Sequence, residues 1–163
     1  MKKLARSGCR APQKNAPGAD RGRSALLTNY KRETTMLSKA VLWVTGIVFF
    51  GYGVVCFFDP QIPATYSGLG FTNADSRIET AAMYGGLQAG LGLFCLIAAV
   101  RNEYRRAGLL MVICGVGGLA MTRALSFSIT SDPVTSYTYG ALGFEALTAA
   151  FAAVAFLKHD VDK

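Results

Sequence analysis

Four apolar stretches, each about as long as a bilayer core is thick, leave few folds open to this chain. Ala40 to Phe58 are nineteen residues without a charge and Thr80 to Val100 are twenty-one, while Ala107 to Ile129 are interrupted only by Arg123 and Thr135 to Leu157 only by Glu145. At 1.5 Å of rise per residue, about 20 such residues cross a hydrocarbon core of roughly 30 Å. Inside lipid the backbone satisfies its own N–H and C=O groups only as a helix or a closed barrel, and the alternation of a barrel strand is absent. The fold expected is all-α: a polytopic membrane protein forming a four-transmembrane-helix bundle, with helices at about 38–58, 77–100, 107–130 and 135–157.

Charge is scarce and unevenly placed. Only 17% of residues are charged, against about 25% in a soluble domain. Met1 to Thr35 hold nine Lys or Arg against Asp20 and Glu33, and the rest of the chain carries eight of each sign, so the net +7 belongs to the N-terminal segment. Such a distribution excludes a globular nucleic-acid-binding domain and a soluble α/β enzyme. Residues 1–35 read as a basic, disordered tail, because they lack the apolar content that would offset ordering entropy. Met36, directly before the first helix, is an alternative start. No signal peptide is expected, since the tail has no apolar run of the needed length.

The connection from Asp59 to Ser76 contains Pro60, Pro63, Gly68 and Gly70, which should break any helix. Asp75 or Ser76 is expected to cap the second helix, with Glu79 in its first turn. Arg101 to Arg106 read as a charged interfacial hairpin. Lys31, Arg32, Lys39, Arg101, Arg105, Arg106, Lys158 and Lys163 flank one side of the bundle and only Arg77 the other. Both termini are therefore expected in the cytoplasm. Trp43 fits an aromatic anchor near the inner interface, and His159 a residue of the cytoplasmic end.

Several residue sets compete for a role. Ala82, Gly86 and Gly90, and likewise Cys114, Gly118 and Thr122, stand four apart, the spacing at which small side chains let membrane helices approach. They are expected to pack helices within the chain, with a dimer interface as the alternative. Glu79 shares the stripe of Met83, Gly86 and Gly90, so it faces either another helix or the interface. The four cysteines are too scattered for a redox pair or a zinc set, and the glycine pairs follow no strand, so no nucleotide loop is read. No cofactor and no metal are expected, and no nucleic acid.

A lone charge at a helix centre costs roughly 2.5 to 3.5 kcal/mol on insertion scales, so Arg123 and Glu145 should face inward and find partners. Arg123 lies roughly 10 Å from the end of its helix and Glu145 roughly 12 Å from the start of the next. At the same level on antiparallel neighbours, the two are expected to form an ion pair. Tyr52 and Tyr84 fall at roughly 9 to 10 Å, with Gln88 one turn beyond Tyr84 and Ser126 one turn beyond Arg123. Tyr52, Tyr84, Gln88, Arg123, Ser126 and Glu145 thus form a polar layer that either fixes helix register or opens outward as a pocket for a ligand, lipid headgroup or proton.

The stretches SRIETAAMYGGLQAGLGLF (Ser76 to Phe94) and GLAMTRALS (Gly118 to Ser126), followed by Glu145 in the last helix, resemble a family of bacterial four-helix integral membrane proteins catalogued as domain of unknown function 4345. The resemblance covers Met36 to about Leu157. It maps onto Tyr84, Gly85, Gly86, Arg123, Ser126 and Glu145, and implies a fold and a membrane location without an activity; the location expected is the bacterial inner membrane. Where the family often has Asp-Gly after the R-x-x-S helix, this chain has Ser131-Asp132-Pro133.

Three functional classes follow. A small structural or accessory membrane protein is the first, with the lipid bilayer and a second copy or another membrane protein as partners. A carrier or ligand-binding protein using the polar layer is the second. A membrane enzyme is the least supported, because no intramembrane His, Ser-His pair or metal cluster is available for catalysis.

Overall fold

The computed structural model describes the backbone of residues 17–160 and the side chains of 28–30 and 32–158. Residues 1–16 and 161–163 and the side chain of His159 lie outside the described residues, and with them most of the expected tail and Cys9. The described backbone is all helical: α1 (Pro17–Phe58), α2 (Gln61–Ser67), α3 (Ala74–Thr80), a π-helical segment (Ala81–Leu87), α4 (Gln88–Val100), α5 (Asn102–Ile129) and α6 (Ser136–Asp160). Four stretches among the described residues are long and apolar enough to cross a membrane: Thr28–Phe58, Ala74–Val100, Asn102–Ile129 and Ser136–Lys158. Large apolar side chains such as Ile47, Met121, Leu147 and Phe151 point outward. That is the surface a multi-pass membrane protein offers to lipid.

The first helix begins well before the expected boundary at about residue 38, and its backbone starts at Pro17. Pro17 suits the first turn of a helix, where its missing N–H is no loss, and the Ala, Leu, Arg, Lys and Glu that follow are good helix formers. Thr34 and Ser38 are buried. Their hydroxyls donate to the carbonyls of Tyr30 and Thr34 at 3.0 and 2.8 Å, so neither is left unsatisfied.

The connection is not free of helix either. Pro60 and Pro63 sit at the start of α2, where proline is tolerated, and Asp59 Oδ1 accepts from the Gln61 N–H at 3.0 Å. Gly68 ends α2 in the left-handed region at φ 74°. Asn73, rather than Asp75 or Ser76, caps α3: its Oδ1 accepts from Ser76 N–H at 2.8 Å and Ser76 Oγ returns toward the Asn73 N–H. The expected hairpin at Arg101 to Arg106 is a single extended residue, Arg101, with φ −93° and ψ 114°; Asn102 to Arg106 already belong to α5.

The four spans form a ring in which α1 packs on the π-segment and α4, α4 on α5, α5 on α6 and α6 back on α1. Its apolar core joins Val41, Leu42 and Phe49 of α1 to Cys95 and Ala98 of α4, Leu109, Val112 and Val116 of α5, and Ala152 and Ala155 of α6. Most of these lie in the half of the bundle nearer the termini, with Phe49 and Val116 near its middle. In α5 the buried stripe runs Arg105, Leu109, Val112, Val116 and Ala120, and at the same spacing it reaches Arg123 in the other half.

Helix packing uses glycines other than those expected. Gly86, Gly90 and Gly118 would meet nothing within 4 Å if given a Cβ. Ala82, Cys114 and Thr122 are also exposed, as are Glu79 and Met83. Those stripes do not pack the bundle. The close approach runs instead through Gly53, Gly85 and Gly92: a Cβ on Gly53 would stand 2.3 Å from Ala89 N, one on Gly85 2.7 Å from Phe57 Cα, and one on Gly92 2.2 Å from Phe50 N. The π-segment spans Ala81–Leu87, so the motif Tyr84-Gly85-Gly86 lies on a wider turn than an α-helix provides.

Candidate functional site

Arg123 ends the inward stripe of α5 and Glu145 begins that of α6, which continues through Thr148, Ala152 and Ala155. The short link from Thr130 to Thr135 folds these helices back as antiparallel neighbours, so the two charges arrive at one level. Arg123 Nε donates to Glu145 Oε2 at 3.1 Å and Nη2 to Oε1 at 3.0 Å. This bidentate fork is the strong form of a guanidinium–carboxylate contact. The Glu145 side chain is 8% exposed and that of Arg123 27%. The carboxylate is thus enclosed, while one side of the guanidinium still faces outward.

Tyrosines surround the pair. The Tyr137 ring centre lies 6.0 Å from Arg123 Cζ, at the outer limit of a cation–π contact. Tyr137 also stacks on Tyr66 of α2 at 6.2 Å, tying the connection after α1 to the start of α6. Tyr84, carried by the π-segment, lies within electrostatic reach of Arg123. Tyr52 adjoins Cys56 and Tyr137, and its hydroxyl is buried without a hydrogen-bond partner of normal geometry.

The remaining members of the expected layer stand apart from this cluster. Ser126 is exposed and Gln88 half-buried, and no hydrogen bond joins either to the ion pair among the described residues. Ser126 instead lines a cavity of about 450 Å³ with Thr122, Arg123, Phe127, Thr130 and Thr138. The cavity therefore offers the guanidinium edge that Glu145 does not engage, together with several hydroxyls. Donors and acceptors of this kind suit an uncharged or zwitterionic polar group better than a bare anion, because Glu145 already neutralises the arginine.

Sequence spacing did not find Tyr137 and Cys56. Tyr137 has a visible signal in hindsight, since it is one of the polar residues in the first turn of the helix that carries Glu145. Cys56 had none, for a cysteine four residues after Tyr52 in an apolar run reads as core.

With this geometry in view, the comparison with known families is informative. A family model described as a domain of unknown function (DUF4345) matches residues 37–156. The chain belongs to that family. The match takes in all four spans up to Phe156 and includes Tyr84, Gly85, Arg123 and Glu145. No curated protein and no solved structure matches the chain. Family membership therefore fixes kinship and leaves the activity to be argued from the site.

Proposed function

We propose that this member of the DUF4345 family is a small structural or accessory membrane protein whose intramembrane charges lock two helices together. The observation that carries this is the enclosed, bidentate Arg123–Glu145 pair. A carboxylate that already receives two donors and sits behind α5 and α6 is poorly placed to take up or release a solute. Breaking a buried pair by removing one partner is costly, so the pair supports register between α5 and α6 in a membrane where apolar contact alone gives little preference. We further propose that both termini are cytoplasmic, on the strength of the Lys and Arg asymmetry, and that the protein resides in the inner membrane of a bacterium, as the resemblance to a bacterial family suggests. The exposed Gly86, Gly90 and Gly118 leave faces on which a second copy or another membrane protein could pack.

A second reading, binding of a polar ligand or lipid headgroup, is favoured by the cavity beside Arg123 and its hydroxyl lining. Mass spectrometry of the protein released from mild detergent separates the two. The structural role predicts no stoichiometric small molecule whose retention depends on Arg123, Ser126 or Thr138. A molecule lost from Ser126→Val and retained by the parent protein would establish binding instead. Labelling with an impermeant thiol reagent, after the native cysteines are replaced by alanine, tests the orientation: Ser67→Cys should react from outside and Lys158→Cys should not.

A further inference from the structure

The other end of the α5 stripe carries an arginine that no carboxylate meets among the described residues. Arg105 is 4% exposed, and its only hydrogen-bond partner among the described residues is the Asn102 side-chain oxygen, toward which Nη2 is directed. Its Nε is buried with no partner. Glu103, the nearest acid in sequence, points into solvent and pairs with Arg101 at 3.6 Å. Burying a cation without a counter-charge is expensive, and a neutral amide compensates it only in part.

Three neighbouring features show what would complete the site. Arg105 lies in the first turns of α5, a 28-residue helix whose opening N–H groups no side chain caps. Its side chain leans back toward that end, as helix geometry directs, and helix N-termini with free N–H groups favour anions. Secondly, the charges around this end are mostly positive: Lys39, Arg101 and Lys158 are exposed, and Arg106 lies over the Phe156 ring at 4.7 Å. Thirdly, an apolar groove of about 860 Å³ opens from Arg101 and Tyr104 and runs along Trp43, Phe94, Ile97 and Val100. A free anion would have no use for that groove.

We propose that the start of α5 binds the phosphate group of an anionic phospholipid, with Arg105 and the first N–H groups of the helix on the phosphate and an acyl chain in the groove beside Trp43 and Phe94. Arg105 is then the counterpart of Arg123 on the same stripe: eighteen residues, or roughly 27 Å, away, and neutralised by lipid where Arg123 is neutralised by protein. This goes beyond the structural role proposed above and does not depend on it.

The test uses the full chain in mild detergent, titrated with phosphatidylglycerol and with phosphatidylcholine of matched chains and followed by native mass spectrometry. Phosphatidylglycerol should be retained about tenfold more tightly, a difference of about 1.4 kcal/mol. Arg105→Gln should abolish the preference. Asn102→Asp places a carboxylate where the amide now stands, so it should remove the preference while keeping the protein folded, and Arg123→Gln should leave it in place. Equal retention of the two lipids would overturn the proposal, as would a preference that survives in Asn102→Asp. Stabilisation by inorganic phosphate equal to that by phosphatidylglycerol, with no lipid preference, would likewise overturn it in favour of a free anion.

Discussion

A Cβ placed on Gly53 or Gly92, between α1 and the second span, would stand 2.3 or 2.2 Å from the facing backbone nitrogen; placed on Gly117, between α5 and α6, it would meet only the Ala149 Cβ at 3.4 Å. The first pair of helices is in backbone contact, and the second pair is held further apart by side chains. Between α1 and the second span nothing but shape is needed, because small residues bring the backbones close enough for dispersion to act over many atoms. Between α5 and α6 Gly117 meets a side chain rather than a backbone, and the Arg123–Glu145 fork adds a polar contact to the packing. The looser seam is also the one with a cavity of about 450 Å³ beside its charged pair. Packing by shape closes the first seam, whereas the second keeps a cavity beside its polar pair.

The sharpest way to break this contrast is to enlarge a glycine in the tight seam. Gly92→Leu should separate α1 from α4 and destabilise the bundle by more than about 3 kcal/mol, the upper end for overpacking, read as loss of the folded monomer in size-exclusion chromatography. Next in size is the loss of one charge in the looser seam. Glu145→Gln leaves the partly buried Arg123 without its counter-charge, which costs up to about 3 to 5 kcal/mol in a fully buried pair and less where water or snorkelling relieves it; thermal unfolding in detergent measures it. Removing the ring over the pair should cost about 1 kcal/mol, so Tyr137→Leu lowers the melting temperature modestly. The smallest effect belongs to the outward stripes. Gly90→Ala and Gly118→Ala meet nothing within 4 Å and should be neutral or gain a few tenths of a kcal/mol from helix propensity. A large loss there, together with a change in oligomeric state, would show that a second copy packs on that face.

The spans were legible because an uncharged run of twenty residues has few alternatives, and the level of Arg123 and Glu145 followed from helix rise alone. The packing face was not legible from spacing. The second span carries Ala82, Gly86 and Gly90 on one stripe and Gly85, Ala89 and Gly92 on another, and both satisfy the small-residue rule. What distinguishes them is the partner helix: Gly46 and Gly53 stand seven apart, as do Gly85 and Gly92, and these four are the glycines of the α1 seam that would clash. The π-turn over Ala81–Leu87 shifts the face of every later residue, which periodicity at 3.6 cannot anticipate. The early start of the first helix was not legible because composition describes a segment in isolation, and a helix already nucleated by a membrane span extends at little further cost.

The central claim is that Arg123 and Glu145 act as one unit joining α5 to α6. A double-mutant cycle measures it directly: thermal unfolding of the parent protein, Arg123→Gln, Glu145→Gln and the double variant in one detergent. The account predicts that the double variant loses clearly less stability than the two single losses added together, with an interaction energy of about 1 kcal/mol or more. Strictly additive losses would contradict it and leave two independent polar sites.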